Sequence, residues 1–191
     1  MELNLNCFEH FPVLQTKRIS LRRIILQDAE RIFEMRKNSR NNEFILRPNM
    51  EHLENAKELI NNVESGYKKR EKIAWAGILR DHKEIIGTCG FNHVDHQNLR
   101  AEIGGELFIN YWGKNIALEV ANEIISFGFL GMQLNSIEAK VNPANRSAIY
   151  LLERLGFNRE GYFKKHGFYN NSFHDLAVYS KLNTNSASLK T

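Results

Sequence analysis

Cysteine and proline are scarce in this chain of 191 residues, which contains two cysteines and three prolines. Cys7 and Cys89 lie far apart and form no CxxC pair, which argues against a disulfide framework and against a zinc site. No apolar run approaches the roughly 20 residues that a membrane-spanning helix needs. The first residues also lack the basic start and the apolar core of a signal peptide. We therefore expect a cytoplasmic protein without a membrane partner.

The charge is mildly basic, with a net charge of +4 and an isoelectric point near 9.1. The basic residues are spread along the chain and interrupted by acidic ones, so they are either solvated surface or the mark of an anionic partner. That partner could be a phosphorylated cofactor or a nucleic acid. Because the aromatic residues do not alternate with basic ones as they do on RNA-binding sheets, we expect no nucleic-acid partner.

Two histidines, His93 and His96, have a spacing that metal sites use. They lie in a polar segment, 92–98, that we predict to be a loop, and no third ligand stands beside them. The sequence therefore predicts no metal site.

Hydrophobic periodicity predicts alternating strands and helices in a single domain over residues 1–182, followed by a polar tail over 183–191. The predicted strands cover residues 17–25, 73–79, 84–91, 99–109 and 136–141, with two more on either side of the turn at 169–172. The first predicted helix begins near residue 26. Three further helices are predicted over residues 51–65, 115–130 and 145–155. Gly66 and Gly156 stand where two of them would end. This order indicates a mixed α/β fold with a mainly antiparallel central sheet flanked by helices.

The segment YWGKNIALEV, residues 111–120, joins a predicted strand to a predicted helix. The first backbone N–H groups of a helix have no partner within the helix, and the helix dipole adds positive charge there. Gly113 lets an anion approach the backbone, Lys114 adds a cation, and Asn115 tolerates a positive φ angle. The segment therefore has the features of a phosphate site. An ordinary strand-to-helix turn is the alternative.

An ordered set of short motifs resembles the GNAT N-acetyltransferase superfamily, most of all its RimJ/RimL-type branch. The resemblance extends over about residues 16–182. Its elements are Ala101-Glu102-Ile103-Gly104, Tyr111-Trp112-Gly113-Lys114, Ala117, Glu119, Asn142-Pro143, Asn145, Leu152-Glu153, Leu155-Gly156-Phe157 and Glu160-Gly161. Each motif is weak by itself, whereas the ordered set with its spacing is specific.

The resemblance implies that the anion is the diphosphate of acetyl-CoA. The phosphate-binding loop would run from Trp112 to Ala117, and the strand ahead of it would separate from its neighbour and bind the pantetheine arm. The implied cofactor-binding residues are Gly105, Leu107, Trp112, Gly113, Lys114, Asn115, Ile116, Ala117 and Asn145. Two residues depart from the general motif, because Trp112 replaces a glutamine or arginine and Asn115 replaces a glycine.

Acetyl transfer to an amine requires the neutral amine. A lysine amine with a pKa near ~10.4 is almost fully protonated at neutral pH, whereas an α-amine near ~7.7–8.0 is less so. A glutamate with a raised pKa is a suitable general base. The resemblance makes Glu102 the first candidate. Glu106 is the second, because it lies four residues along and would share a face with Glu102 in a regular strand, unless a bulge separates them. An exposed strand carboxylate is the alternative for either. Many family members carry a tyrosine or a serine that protonates the leaving thiolate. Here these two positions are Leu152 and Ala148, so no general acid is assigned.

We therefore predict an acetyl-CoA-dependent N-acetyltransferase that acts by direct attack in a ternary complex. The acceptor would be a protein N-terminus or a small-molecule amine. Arg36, Arg40 and Phe44 are candidates for the acceptor side. A non-catalytic acetyl-CoA-binding protein is the alternative function, and a homodimer is left open.

Overall fold

The computed structural model describes residues 2–80, 82 and 84–184, and its centre is one eight-stranded sheet. The spatial order is β1-β2-β3-β4-β5-β6-β8-β7. Every neighbouring pair is antiparallel except β5 and β6, which are parallel. The strands are β1 (Leu14–Gln15), β2 (Ile19–Arg23), β3 (Ile73–Leu79), β4 (Ile85–Asp95), β5 (Arg100–Leu107), β6 (Ser136–Val141), β7 (Asn158–Tyr169) and β8 (Ser172–Leu182). The predicted mixed, mainly antiparallel sheet is confirmed.

Helices cover both faces of the sheet. They are α1 (Ala29–Lys37), α2 (Ser39–Asn42), α3 (Leu53–Lys68), α4 (Ile116–Ser126) and α5 (Arg146–Arg154). Side chains of a strand alternate between the faces, so β3 contributes to two cores. Trp75 packs into the core that α4 and α5 share, whereas Ala76 packs into the core under α1 and α3.

The parallel strands β5 and β6 pair over only three residues each. Arg100, Ala101 and Glu102 lie opposite residues 136–138, and no pairing with β6 continues over residues 103–107 of β5. Both strands go on beyond this point, since β6 remains paired with β8 as far as Val141. The sheet therefore divides after Glu102 and leaves a gap between β5 and β6. This confirms the predicted separation of the strand ahead of the phosphate loop.

An irregularity in the neighbouring pair lies on β4 and not on β5. Phe91 is opposite Ile103 and His93 is opposite Glu102, so Asn92 is the additional residue of a β-bulge. Because β5 itself stays regular, alternation leaves Glu102 and Glu106 on the same face of the sheet.

Several predicted boundaries are wrong, and three of them have a clear structural reason. Gly66 does not end its helix, because α3 continues to Lys68 and the turn is made by Arg70, whose φ angle is 61°. The predicted loop at 92–98 is mostly strand, since β4 extends to Asp95 and places Val94 in the core. The helix predicted over 115–130 is α-helical only from Ile116 to Ser126 and ends in a π-helical turn.

In the part of the chain that the structure describes, no helix is long and apolar enough to cross a membrane. The cytoplasmic location stays a prediction. Residues 185–191 of the predicted polar tail lie outside the described residues, and the single domain over 1–182 stays a prediction.

Candidate active site

The first turn of α4 presents backbone N–H groups without a side-chain cap. Asn115 is the residue before the helix, and its backbone is left-handed with φ 57° and ψ 15°. Its side chain makes no capping hydrogen bond, while its carbonyl accepts the first helical hydrogen bond from Glu119 N at 3.1 Å. The N–H groups of Ile116, Ala117 and Leu118 therefore point out of the helix end, where the dipole favours an anion. The positive φ angle expected at Asn115 is confirmed.

The loop ahead of α4 is exposed and is held by an arginine from β1–β2. Gly113 has a φ angle of 72°, and a Cβ atom there would meet no atom within 4 Å. Glycine is therefore needed for the backbone angle and leaves open space above the amides. Arg18 donates to the Lys114 carbonyl at 3.0 Å and to the Glu119 carboxylate at 2.7 Å. These bonds fix the loop against the first turn of α4.

The backbone of β5 beyond Glu102 faces the gap at every second residue. Phe108 N donates to Ile86 O of β4 at 2.9 Å. In an antiparallel pair, the N–H and C=O groups of successive residues point to opposite sides, so those of Gly105 and Leu107 point away from β4. The Leu107 carbonyl accepts from Trp112 Nε1 at 2.7 Å and from Asn41 Nδ2 at 2.9 Å. The N–H groups of Gly105 and Leu107 face the gap, where β6 does not pair.

A cavity of about 610 Å³ lies at this gap. Its walls come from both strands that border the gap and from helices on both faces of the sheet. Five of the nine predicted cofactor-binding residues line it, namely Gly105, Leu107, Ile116, Ala117 and Asn145. The other four, Trp112 to Asn115, form the exposed loop at the start of α4 instead. The structure thus brings the predicted residues together along one path from the helix start to the gap.

Asn145 precedes α5 and caps it, since its Oδ1 accepts from Ala148 N at 3.0 Å. Its amide nitrogen makes no hydrogen bond to any described residue and remains a donor toward the cavity that Asn145 lines. The cap explains why asparagine stands at this position, and the amide nitrogen is compatible with the predicted cofactor contact.

Glu106 lies in the cavity between two arginines. Its side chain is 10% exposed, and its carboxylate accepts hydrogen bonds from Arg36 of α1 and from Arg47 of the segment that follows α2. Burial alone would raise the pKa of Glu106, but the hydrogen bond from Arg47 and the two positive charges outweigh it and lower the pKa. Glu106 is therefore ionised near neutral pH and is a weaker base than a glutamate with a raised pKa.

Glu102 lies elsewhere. Its carboxylate accepts a hydrogen bond from Lys140 Nζ of β6 at 2.6 Å, and Glu102 is not among the residues that line the cavity. The pair stands where β5 and β6 separate, so it joins the two strands at the end of their pairing. A catalytic role of Glu102 stays a prediction, and the geometry favours Glu106 because it is the one of the two carboxylates that lines the cavity.

The residues at the general-acid positions are apolar and do line the cavity. Ala148 and Leu152 face it, whereas Tyr150 is 62% exposed on the outside of α5. Cys89 also lines the cavity, and burial raises the pKa of its thiol to about 12. No hydroxyl group thus stands at the two positions where the family resemblance would place a general acid.

Arg47 and Arg18 were not predicted from the sequence. Of the three acceptor-side candidates, Arg36 and Phe44 line the cavity and Arg40 does not. Arg47 lies in a segment without periodicity, and 59 residues separate it from Glu106, so no local pattern marks it. No local pattern predicts the contact of Arg18 with Glu119, because the two residues lie 101 positions apart in the sequence.

Comparison with known proteins identifies the family of this chain. The family described as "Acetyltransferase (GNAT) domain" matches residues 18–158. The uncharacterized N-acetyltransferase YoaA of Bacillus subtilis is 36% identical over 170 residues, which cover 89% of this chain and 96% of YoaA. The [Ribosomal protein uS5]-alanine N-acetyltransferase of Escherichia coli is 33% identical over 85 residues, which cover 44% of each chain.

A solved structure has the same fold. RimL, a ribosomal L7/L12 alpha-N-protein acetyltransferase in complex with coenzyme A, superimposes with a TM-score of 0.80 at 15% identity, covering 90% of this chain and 98% of RimL. This chain belongs to the GNAT family of acetyltransferases. It is an N-acetyltransferase that uses acetyl-CoA, and ribosomal-protein N-acetyltransferases are among its homologues. The predicted family, enzyme class and cofactor are thus confirmed.

Proposed function

We propose that the protein transfers the acetyl group of acetyl-CoA directly to a primary amine in a ternary complex at the gap between β5 and β6. The observation that carries this proposal is the cavity at the gap, which residues from both faces of the sheet line. The thioester comes from the face of α4 and the amine from the face of α1. Neither substrate has to leave for the other to bind.

On the cofactor side, the diphosphate is bound by the N–H groups at the start of α4, with Lys114 beside it. The pantetheine arm follows β5, where the backbone of Gly105 and Leu107 faces the gap. The same N–H groups stabilise the oxyanion of the tetrahedral intermediate, because they are fixed by the strand and need no reorganisation. Asn145 contributes its amide nitrogen to the cofactor.

On the amine side, Glu106 accepts a hydrogen bond from the attacking nitrogen and orients it. Its lowered pKa makes it a poor acceptor of a proton from a free ammonium ion. Once the C–N bond has formed, the nitrogen is more acidic, and Glu106 then receives its proton. We therefore assign the general-base role to Glu106 at this later stage and expect the amine to bind in its neutral form.

The leaving group is the thiolate of coenzyme A. The C–S bond breaks as the carbonyl re-forms. The nitrogen has lost one proton and the sulfur finally gains one, so no net proton is released when free coenzyme A forms. Ala148 and Leu152 supply no proton, so the thiolate leaves unprotonated or takes a proton from water.

An α-amine is the acceptor that fits this chemistry best, because its pKa near ~7.7–8.0 leaves a usable neutral fraction at pH 7. The name of the relative from Escherichia coli states that it acetylates an alanine of ribosomal protein uS5. A protein or peptide N-terminus is therefore the leading candidate, with a small α-amine as the second.

The experiment is a panel of amines and ribosomal-protein N-terminal peptides, with release of free coenzyme A as the readout. We expect turnover with at least one α-amine, a large loss in Glu106→Gln and little change in Glu102→Gln. Unchanged turnover in Glu106→Gln would refute the role of Glu106. Tight acetyl-CoA binding without turnover of any amine would favour a non-catalytic acetyl-CoA-binding protein.

A further inference from the structure

The charges around Glu106 do not balance. Two guanidinium groups, those of Arg36 and Arg47, contact one carboxylate, and their side chains are only 18% and 22% exposed. Among the residues that line the cavity, Glu106 is the one acidic side chain, whereas Arg36, Arg47, Lys72 and Lys140 are basic. Lys140 is paired with Glu102. The acceptor side of the cavity therefore carries surplus positive charge.

Arg36 is the arginine whose positive charge is less well compensated. Each of the three guanidinium nitrogens of Arg47 donates a hydrogen bond, because Nη1 and Nη2 contact Glu106 while Nε and Nη2 contact Asn42 Oδ1 at 3.1 and 2.7 Å. Arg36 contacts Glu106 through Nη2 alone, and its buried Nε has no hydrogen-bond partner among the described residues. Burial lowers the pKa of Arg36 more than the attraction of Glu106 raises it, and the charge of Arg47 lowers it further.

A largely buried guanidinium that shares its one carboxylate with a second arginine is only partly compensated, and its buried donor without an acceptor adds to the penalty. An anionic group on the ligand would remove both. Arginine is suited to this role because its planar fork binds a carboxylate or a phosphate through two parallel hydrogen bonds.

We propose that the acceptor amine carries an anionic group, a carboxylate or a phosphate, which Arg36 binds while Glu106 binds the amine. Since Arg36 and the amine meet at the same carboxylate, the two groups of the acceptor stand only a few bonds apart. The acceptor is then a small amino acid or amino phosphate, or a peptide whose N-terminal residue is acidic. This inference rests on the proposed function and adds the substrate class to it.

The test compares matched acceptors that differ by one negative charge. The small-molecule arm uses two pairs of α-amines, alanine against alaninamide and O-phosphoserinamide against serinamide. The kcat/KM is expressed per neutral amine, because replacing a carboxylate by an amide also lowers the pKa of the amine. The peptide arm uses Asp-Ala-Ala-amide against Asn-Ala-Ala-amide. We expect the anionic member to have a kcat/KM higher by about tenfold or more, as charge-assisted hydrogen bonds contribute. The arm with the larger ratio identifies the source of the anion.

Arg36→Gln should abolish this preference. The variant keeps Arg47 opposite Glu106, a balanced pair, so we expect it to fold and to bind acetyl-CoA like the wild type. Arg40→Gln is the matched control, because Arg40 is exposed and does not line the cavity. Arg36→Lys retains the charge without the fork and should keep part of the preference.

Equal or better turnover of the uncharged members in both arms would overturn the inference while leaving the proposed function intact. A preference that survives Arg36→Gln would overturn it as well. Failure of every amine to react would instead overturn the proposed function, and the inference with it.

Discussion

Replacing Glu106 by glutamine should destabilise the fold much more than the same change at Glu102. Glu106 is the carboxylate that compensates Arg36 and Arg47, and all three side chains are at most 22% exposed. Removing one partner of a buried ion pair costs about 3–5 kcal/mol. Because these groups keep some solvent contact, we take the lower end, about 3 kcal/mol, which for a chain of this size lowers the unfolding midpoint by about 6–12 °C.

Glu102→Gln is the matched control, since Glu102 lies on the same strand and the same face. Its partner Lys140 is 48% exposed, and an exposed ion pair contributes only about 0–1 kcal/mol. Urea unfolding of the wild type and of both variants gives the two free-energy differences directly. A Glu106→Gln loss no larger than the Glu102→Gln loss would refute the reasoning.

The pH dependence of the same difference is a second readout. The pKa of Glu106 in the folded protein lies below its ordinary value of 4.5, so its contribution to stability is present above that value and is lost as the pH falls through the folded pKa. The free-energy gap between the wild type and Glu106→Gln should therefore be constant near neutral pH and narrow in acid. A gap that widened on acidification would contradict the direction of the pKa shift.

Three further predictions concern the cofactor side and the cysteines. Asn115→Gly should bind acetyl-CoA at least as well as the wild type in calorimetry. Asn115→Val should bind it more weakly, because a β-branched residue at φ 57° is strained by about 1–3 kcal/mol. Equal affinities of the two variants would contradict this prediction. Arg18→Ala should weaken acetyl-CoA binding by about threefold to tenfold, the contribution of one hydrogen bond, and an unchanged Kd would show that the loop keeps its shape without Arg18. Neither the buried Cys7 nor Cys89, which lines the cavity, should be alkylated by iodoacetamide in the native protein at mildly alkaline pH, because their pKa values are raised to about 11 and about 12. Rapid labelling of either, seen by mass spectrometry, would contradict the raised pKa values.

Local patterns predicted the elements whose ends are clearly marked in the sequence. The bounds of β3 were predicted correctly, because the strand is uniformly apolar and polar residues flank it. Gly66 misled the prediction because it serves packing rather than helix termination, since a Cβ atom there would lie 2.4 Å from Lys72 Cγ. The extension of β4 was missed because the polar residues around Val94 hide the one core position of the segment.

The geometry at the start of α4 was predictable from the sequence, whereas the pairing of Glu106 with two arginines was not. The start of α4 is a local feature, since glycine, asparagine and an amphipathic helix follow one another in the sequence. The cluster around Glu106 joins residues that lie 59 and 70 positions away from it. Such contacts depend on how α1 and the segment after α2 pack beside β5, which no short pattern encodes. The gap itself was expected only through the family resemblance.

In the proposed mechanism, the uncapped backbone N–H groups at the start of α4 bind the diphosphate of acetyl-CoA. The most direct measurement is a titration of nitrogen-15-labelled protein with acetyl-CoA, followed by the amide resonances of Ile116, Ala117 and Leu118. We predict large, saturable shifts of these three amides, together with those of Gly105 and Leu107. Binding of acetyl-CoA that left the α4 amides unmoved, or no binding at all, would contradict the claim.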